Sequence, residues 1–321
     1  MRVGVIGVGK MGVHHARIYS QMEGVELVGV ADVDEEKASE VAKLYDTKAF
    51  TDCDELLKCV DAVSIAVPTT QHEEVAIAAI EHGVHCLIEK PIAHTLKSAR
   101  NIVDAARDAG VKIMIGHVER FNPAVIALKG EIDAGKLGNV VSISSKRVGP
   151  HPPRIRDVGV IIDLAVHDID VISFLYGKNV RDVSAIAGNG MHSHEDYASI
   201  LLGYEGNKAG LVDTNWLTPH KVRVLVAVGV KGVAYMDYIA QTLEIHRRDF
   251  VEDVFVEKRE PLRSELEYFL RGIVHNEELS PSGEEGIHAL AVALAAVKSC
   301  KARRTVVVDE NLLKDAHLDE F

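Results

Sequence analysis

The sequence lacks the features of a membrane, secreted or nucleic-acid-binding protein. No uninterrupted apolar run reaches the roughly 18 residues that a helix needs to cross a bilayer. Cysteines are few, with neither a CxxC motif nor paired metal spacing, so we expect reduced thiols in a cytoplasmic protein. A positive surplus is also missing: the formal net charge of −12 excludes a general attraction to nucleic acid or anionic membrane. Arg2 leads directly into a first predicted strand, with no signal peptide ahead of it.

Short β-rich runs alternate with helices through the first third of the chain. The predicted strands are 2–7, 25–33, 48–50, 61–67, 84–89 and 111–115, and the predicted helices are 10–22, 34–45, 52–58, 70–82 and 95–109. Such alternation indicates a parallel sheet covered by helices on both faces. The first third is therefore predicted to be a doubly wound α/β domain of the Rossmann type.

A GxGxxG motif lies between the first predicted strand and the first predicted helix. Gly7 permits a tight turn, Gly9 lets a pyrophosphate approach the backbone, and Gly12 lets helix and strand pack closely. The helix N-terminus supplies free N–H groups to the phosphates. Asp32 follows at the end of the second strand, where a carboxylate would bind the ribose hydroxyls and repel a 2′-phosphate. We therefore predict NAD as the cofactor, in preference to NADP.

Two later strand ends carry unusual residues at the carboxyl edge, where doubly wound sheets bind their ligands. Pro-Thr-Thr-Gln-His at 68–72 follows one strand, and its threonines either cap the next helix or contact a ligand. Glu-Lys-Pro at 89–91 follows another. A charged pair at the end of a buried strand is costly unless it is solvated or used. A cis bond between Lys90 and Pro91 is compatible with this sequence.

The rest of the chain contains consecutive predicted strands with few helices between them. The strands lie near 139–148, 180–188, 195–204, 208–217, 221–229, 232–237, 242–246 and 305–308, and the helices near 122–134, 157–176, 262–276 and 284–302. This pattern indicates an antiparallel sheet, one face of which must be covered by helices or by another subunit. We predict that residues 1–118 bind NAD, and that an α+β domain of residues 119–321 binds substrate and forms oligomers.

The loop after the strand 139–148 concentrates positive charge in an acidic chain. The end of that strand and the loop together hold Lys146, Arg147, Arg154 and Arg156. Guanidinium groups suit bidentate recognition of phosphate, so a nucleotide diphosphate would explain the loop. Pairing with the acidic surface of the protein explains it equally well.

An apolar helix predicted over 157–176 carries one histidine and three carboxylates. Asp163 and His167 stand one α-helical turn apart, roughly 40° around the axis and about 6 Å along it. Both side chains can therefore face one pocket, whereas Asp168 points elsewhere and Asp170 falls near His167. An acid–base pair in apolar surroundings is typical of a catalytic site, although buried helices also hold structural pairs.

In their order along the chain, the motifs GxGxxG, PTxxH, EKP and GxxxDxxxHxxD resemble those of the glucose–fructose oxidoreductase / inositol dehydrogenase (Gfo/Idh/MocA) family. The likeness runs by motif from residue 2 to about residue 176, and EKP followed by DxxxH is specific to this family among dinucleotide-binding proteins. With Glu-Arg-Phe-Asn-Pro at 119–123 and Arg-x-Gly-Pro at 147–150, the chain resembles in particular the nucleotide-sugar 3-dehydrogenases. Those enzymes act on UDP-N-acetylglucosamine or its uronic acid.

The resemblance implies a Rossmann domain, a second domain with an open, mostly antiparallel sheet, and a dimer or tetramer formed through that sheet. It implies an enzyme that uses NAD(P) on a sugar or polyol carbon. The predicted cofactor contacts are Gly7, Gly9, Lys10, Met11, Gly12, Asp32, Pro68, Thr69, His72, Glu89 and Lys90. The predicted substrate contacts are Arg120, Asn122, Arg147, Arg154, Arg156, Asp163 and His167.

The predicted reaction is NAD-dependent oxidation of a secondary hydroxyl, at C3 of a nucleotide sugar. Because histidine titrates close to working pH, His167 is the predicted general base. Lys90 can donate to the reacting oxygen, and Asp163 can orient the imidazole or bind a neighbouring hydroxyl. Lys90 as the base is the competing assignment, since desolvated lysines lose their proton more easily. The alternatives for the whole protein are a dehydrogenase of a free sugar or polyol and a regulator that senses NAD and sugar; no metal is expected.

Overall fold

The computed structural model describes residues 1–151, 158–191, 194–309 and 313. The chain forms two compact units. Unit 1 comprises Met1–His117 and Leu262–Ile287, and unit 2 comprises Val118–Pro261 and the described residues from His288 onwards. The sequence-based boundary lies one residue after the first of these divisions, and it had left 262–287 in the second domain.

Unit 1 is built on a six-stranded parallel sheet. Its strands are β1 (Arg2–Ile6), β2 (Glu26–Ala31), β3 (Lys48–Phe50), β4 (Ala62–Ile65), β5 (His85–Glu89) and β6 (Ile113–Gly116), in the order β3-β2-β1-β4-β5-β6. The strand order reverses between β1 and β4, so the carboxyl ends of these two strands form the switch point at which such sheets bind ligands. The predicted doubly wound domain is confirmed.

The helices between these strands begin and end where local sequence favours it. They are α1 (Lys10–Tyr19), α2 (Glu35–Leu44), α3 (Cys53–Leu57), α4 (His72–Glu81) and α5 (Leu96–Ala109). At the start of α5, the side chain of Thr95 accepts a hydrogen bond from Ser98 N, and at its end Gly110 adopts a left-handed φ of 66°. The buried side chains of α5 recur every three or four residues, so one face of the helix is buried, and the helix packs against α4.

Unit 2 is built on a nine-stranded sheet that is antiparallel except for one pair. Its strands are β7 (Val140–Pro150), β8 (Val180–Gly188), β9 (Tyr197–Tyr204), β10 (Lys208–Asn215), β11 (Leu217–Gly229), β12 (Gly232–Asp237), β13 (Thr242–His246), β14 (Val251–Val254) and β15 (Val306–Val307). Their order is β14-β13-β12-β11-β7-β10-β9-β8-β15, with β7 and β10 parallel. The predicted mostly antiparallel sheet is confirmed, and β14 at its edge was not predicted.

The remaining helices are α6 (Pro123–Asp133), α7 (Val166–Tyr176), α8 (Pro261–Val274) and α9 (Gly283–Ala302). In unit 2, α6 packs on β12 and β13, while α7 packs on β7 and β10. Residues of β9 alternate between exposed and buried, so one face of the sheet is covered and the other is open. No helix of the described residues has the length and apolar character needed to cross a bilayer.

Residues 262–287 return to unit 1. Arg263 of α8 donates to Gln21 at 3.1 Å, and Ile115 N of β6 donates to Pro281 O at 2.9 Å. The Nζ atom of Lys112 donates to the carbonyl oxygen of residue 277 at 2.7 Å. This segment therefore completes unit 1 after the chain has formed most of unit 2.

The helix predicted over 157–176 is not α-helical throughout. Its first part, Ile161–Ala165, is a π-helix, in which Val166 N donates to Ile161 O, five residues back. The α-helix α7 follows and ends at Gly177, with a left-handed φ of 59°. The offset of roughly 40° that an α-helix gives to residues four apart therefore does not apply to Asp163 and His167. Single π turns occur frequently at functional sites.

Candidate active site

The three glycines of the glycine-rich loop in unit 1 serve two roles, close backbone packing and space for a ligand. Gly7 has a φ of 86°, and a Cβ atom there would lie 2.7 Å from the backbone of Ala66. A Cβ on Gly12 would lie 1.8 Å from the carbonyl oxygen of Gly7. A Cβ on Gly9, in contrast, would meet no protein atom within 4 Å. Gly7 and Gly12 are therefore required by the protein itself, whereas Gly9 leaves open space that fits an approaching pyrophosphate.

The first turn of α1 and the end of β2 complete this region. No side chain caps the N-terminus of α1, where the exposed Lys10 and half-buried Met11 lie. Asp32 Oδ2 accepts a hydrogen bond from Val8 N at 2.8 Å, which fixes the carboxylate beside the loop. Lys37 pairs with Asp34 at 2.7 Å, and 61% of the lysine side chain is exposed. The donors and the carboxylate at this edge fit NAD.

Glu89 lies at the carboxyl end of β5 and is buried. Its Oε1 atom lies 3.0 Å from His15 Nε2, and its Oε2 accepts from Lys90 N at 3.3 Å. Burial acts to raise the pKa of Glu89, but the hydrogen bond with His15 and the interactions with His15, Lys90 and His72 together hold the pKa below its ordinary value. Lys90 is half-buried, and its bond to Pro91 is cis.

His72 is not placed to contact a cofactor, which corrects the prediction. Its side chain is buried, with Nδ1 3.0 Å from Pro91 O and Nε2 3.0 Å from Val67 O. Burial lowers the pKa of this imidazole. The ring instead joins the segments that follow β4 and β5.

The neighbouring residues of that motif remain predicted cofactor contacts. Pro68 is exposed, and Thr69 is half-buried at the start of a 3₁₀ turn, Thr69–Gln71. The N-cap of α4 is Gln71, and no side chain hydrogen-bonds to that helix end. The alternative that a threonine caps α4 is therefore wrong.

In unit 2, the polar residues of the segment 159–170 separate into two classes. Asp168 and Asp170 are buried, whereas Asp163 and His167 are half-buried and remain accessible to a ligand. The start of this segment is held by Glu195, whose carboxylate accepts from Ile161 N at 3.3 Å. Burial raises the pKa of Glu195.

Arg147 does not lie in a solvent-exposed basic loop, which corrects its assignment to phosphate recognition. The side chain is fully buried in β7. Its Nε donates to Asp168 Oδ2 and its Nη1 to Glu119 Oε1, each at 2.7 Å. Burial acts to lower the pKa of Arg147, but these two carboxylates raise it well above the ordinary value. The guanidinium thus pairs with two buried carboxylates of unit 2, and these contacts explain Arg147 without a substrate.

Arg120 and Asn122 have internal partners as well. Arg120 makes a bidentate pair with Asp170, at 2.6 and 2.7 Å, and both side chains are buried. Asn122 caps α6 through Ala124 N and donates to Tyr238 O at 3.0 Å. These contacts explain both residues without a substrate. Arg154 and Arg156 lie outside the described residues.

Arg223 on β11 was not among the site residues predicted from the sequence. Its Nη1 lies 3.2 Å from Glu119 Oε1, and 33% of the side chain is exposed. Burial and the charge of Arg147 lower the pKa of Arg223, although the negative charges of Glu119, Asp168 and Asp163 oppose this. Arg223 is in phase with the fully buried Leu225 along the strand, and that alternation marks it as an inward-facing charge.

The chain was compared with known proteins. Residues 1–117 match the GFO_IDH_MocA model, described as an oxidoreductase family with an NAD-binding Rossmann fold, and residues 125–235 match the model of the GFO/IDH/MocA C-terminal domain. The chain is 34% identical over 304 residues to UDP-N-acetylglucosamine 3-dehydrogenase of Acidithiobacillus ferrooxidans, covering 92% of this chain and 95% of that protein.

A solved structure and a second curated relative are also similar to this chain. A solved structure of that A. ferrooxidans enzyme matches with a TM-score of 0.88 at 33% identity, over 94% of this chain and 98% of the other. Myo-inositol 2-dehydrogenase of Thermotoga maritima is 28% identical over 331 residues, covering 97% of this chain and 99% of that protein. The predicted NAD-binding domain is thereby confirmed.

Proposed function

The chain belongs to the GFO/IDH/MocA family of NAD-binding oxidoreductases, and from that membership we propose that it oxidises the C3 hydroxyl of a nucleotide sugar such as UDP-N-acetylglucosamine. The choice of sugar is supported by the similarity to the A. ferrooxidans enzyme over 92% of this chain. The observation that carries the catalytic assignment is the separation of accessible Asp163 and His167 from internally paired Asp168 and Asp170.

The proposed mechanism distributes the work among three side chains. Bound NAD supplies the acceptor for the hydride. His167 removes the proton of the hydroxyl, and Asp163 orients the imidazole or binds the neighbouring sugar hydroxyl. Lys90 donates a hydrogen bond to the reacting oxygen and stabilises the negative charge that develops there. The competing assignment exchanges the roles of Lys90 and His167.

Purified protein with NAD and UDP-N-acetylglucosamine tests the reaction. We expect the near-ultraviolet absorbance of NADH to appear, with a carbonyl trap added to draw the reaction forward. His167→Ala should abolish the NADH absorbance while NAD binding persists. The control His82→Ala changes an exposed histidine at the end of α4 and should leave the NADH absorbance unchanged. Turnover of myo-inositol without turnover of any nucleotide sugar would contradict the proposal.

A free polyol is the second candidate substrate, and one observation favours it. Arg147, one of three arginines expected to bind a diphosphate, is committed to internal ion pairs. The similarity to the inositol dehydrogenase also extends over 97% of this chain. Competition between UDP-N-acetylglucosamine and myo-inositol in the same assay separates the two candidates.

We also propose that a second subunit covers the open face of the sheet in unit 2. This face exposes Ile186, Tyr197, Leu201 and Leu211, with 42–76% of each residue accessible, which is unusual for a permanently solvated surface. Leu211→Glu should reduce the sedimentation coefficient to that of a monomer.

We further propose that the protein is cytoplasmic. Its four cysteines are free thiols, which agrees with a reducing compartment.

A further inference from the structure

Two buried histidines from different helices of unit 1 converge on the Glu-Lys-Pro segment. His15 lies in α1 with none of its surface exposed, and His72 begins α4 with 1% exposed. His15 contacts Glu89, the residue before Lys90, and His72 contacts the carbonyl oxygen of Pro91, the residue after it. The backbone of Lys90 is thus held on both sides.

The contact on the first side is a buried hydrogen bond to a carboxylate. A carboxylate in an apolar interior is costly unless it is paired, and the partner of Glu89 Oε1 is His15 Nε2 at 3.0 Å. The other carboxylate oxygen accepts from Lys90 N at 3.3 Å. A Cβ on Gly116 would lie 3.2 Å from the Glu89 carboxyl carbon, so β6 packs closely against this group and limits its movement.

The contact on the second side fixes the backbone beyond Lys90. His72 lies 3.0 Å from Pro91 O and 3.0 Å from Val67 O, so one ring joins the segments that follow the neighbouring strands β5 and β4. Glu89 and Pro91, the residues on either side of Lys90, are therefore both anchored to neighbouring segments.

We propose that His15 is a positioning residue for Lys90, acting through Glu89, with His72 as the second anchor. This inference rests on the proposed function, in which Lys90 donates to the reacting oxygen. His15 is buried and need not touch substrate or cofactor. Loss of its hydrogen bond lets Glu89 move, however, and thereby shifts the side chain of the adjoining Lys90. A misplacement of about 1 Å at a catalytic group costs roughly 100-fold in rate.

Variants at His15 test the role of its Nε2 atom. Glutamine reaches the same distance and can donate to Glu89, whereas leucine fills the space without donating. We expect His15→Leu to lower kcat about 10- to 100-fold, with KM and the dissociation constant of NAD within about twofold of wild type, and His15→Gln to restore most of the loss. His14→Leu, at the exposed neighbouring position on α1, is the matched control.

A structural role for His15 predicts another result. Since α1 begins at the glycine-rich loop, distortion of this helix should weaken NAD binding first and should lower the melting temperature in proportion. If His15→Leu does not fold, His15→Asn, which is too short to reach Glu89, takes its place beside His15→Gln. Equal kcat in the wild type and the non-donating variant would overturn the inference.

A second readout separates this inference from the choice of substrate. Competitive acetylation followed by peptide mass spectrometry reports the reactivity of the Lys90 amine in the absence of any sugar. We expect that reactivity to change at least about threefold in His15→Leu and to remain at the wild-type value in His15→Gln and His14→Leu. If no sugar is turned over but the Lys90 reactivity shifts in this way, the proposed function fails while the positioning role stands. Unchanged reactivity refutes the positioning role alone.

Discussion

Replacement of Arg147 by methionine is expected to destabilise unit 2 strongly. The guanidinium pairs with two buried carboxylates at 2.7 Å. After its removal, the hydrogen bonds that Asp168 keeps from the described residues come from the neutral hydroxyls of Ser145 and Tyr238. Glu119 retains Arg223 at 3.2 Å. Removal of one partner from a buried pair costs about 3–5 kcal/mol. The free energy of unfolding of a typical domain is roughly 5–15 kcal/mol, so this loss is a large share of it.

Thermal unfolding followed by circular dichroism and calorimetry measures this loss. For a unit of this size, about 3–5 kcal/mol corresponds to a fall of about 6–20 °C in melting temperature. Because two units can unfold separately, the transition that belongs to unit 2 must be identified by calorimetry.

Two controls make the Arg147 experiment decisive. Lys231→Met changes an exposed residue in the turn between β11 and β12 and should alter stability by less than about 0.5 kcal/mol. Combining Arg147→Met with Asp168→Leu removes one of the two stranded charges and should recover part of the loss. An Arg147→Met variant with an unchanged melting temperature and a raised KM for the nucleotide sugar would refute the reasoning and return Arg147 to the substrate site.

Three further predictions follow from local geometry. Gly9→Ala should keep the melting temperature of the protein without NAD but raise the NAD dissociation constant at least about tenfold, whereas Gly12→Ala, with its Cβ 1.8 Å from Gly7 O, should lower the melting temperature itself. Burial raises the pKa of Cys86 to about 12, so a thiol reagent at neutral pH should label Cys86 only after denaturation, as peptide mass spectrometry can show. Burial also raises the pKa of Glu195, so its ionisation opposes folding. Glu195→Gln should therefore raise the melting temperature at neutral pH, and the gain should vanish in acid, where the wild-type carboxyl is protonated in both the folded and the unfolded states; a gain that persists in acid would contradict this account.

Local patterns were sufficient to predict most of the fold. Alternating strands and helices placed β1 to β6, and the cap formed by Thr95 and the terminal Gly110 lie at the ends predicted for α5. The short edge strand β14 was not predicted, because four residues are too few to show a clear alternation of buried and exposed positions. The π-helical turn at Ile161–Ala165 could not be predicted from the sequence. A shift of one residue in the hydrogen-bonding pattern leaves the order of apolar residues almost unchanged.

The candidate site was less predictable because charge partners lie far apart in the chain. Arg147 stood among other basic residues in sequence, yet its partners Glu119 and Asp168 are 28 and 21 residues away. Only the three-dimensional sheet shows that its charge is already balanced. Asp163 and His167, by contrast, were identified by their spacing within one segment, and their half-buried state agrees with the proposed role.

The return of residues 262–287 to unit 1 has a consequence for biosynthesis. When the ribosome has translated residue 117, all six strands of unit 1 exist, but α8 with its buried Leu266 and Phe269 does not. All of Val118–Pro261 must be synthesised before that helix emerges, so β7 to β14 leave the ribosome while unit 1 still lacks part of its apolar core. The nascent first unit therefore exposes hydrophobic surface through nearly half of translation, a period in which chaperones can bind it. A gene fragment that ends at residue 117 would encode the nucleotide-binding motifs without α8, which belongs to the same compact unit.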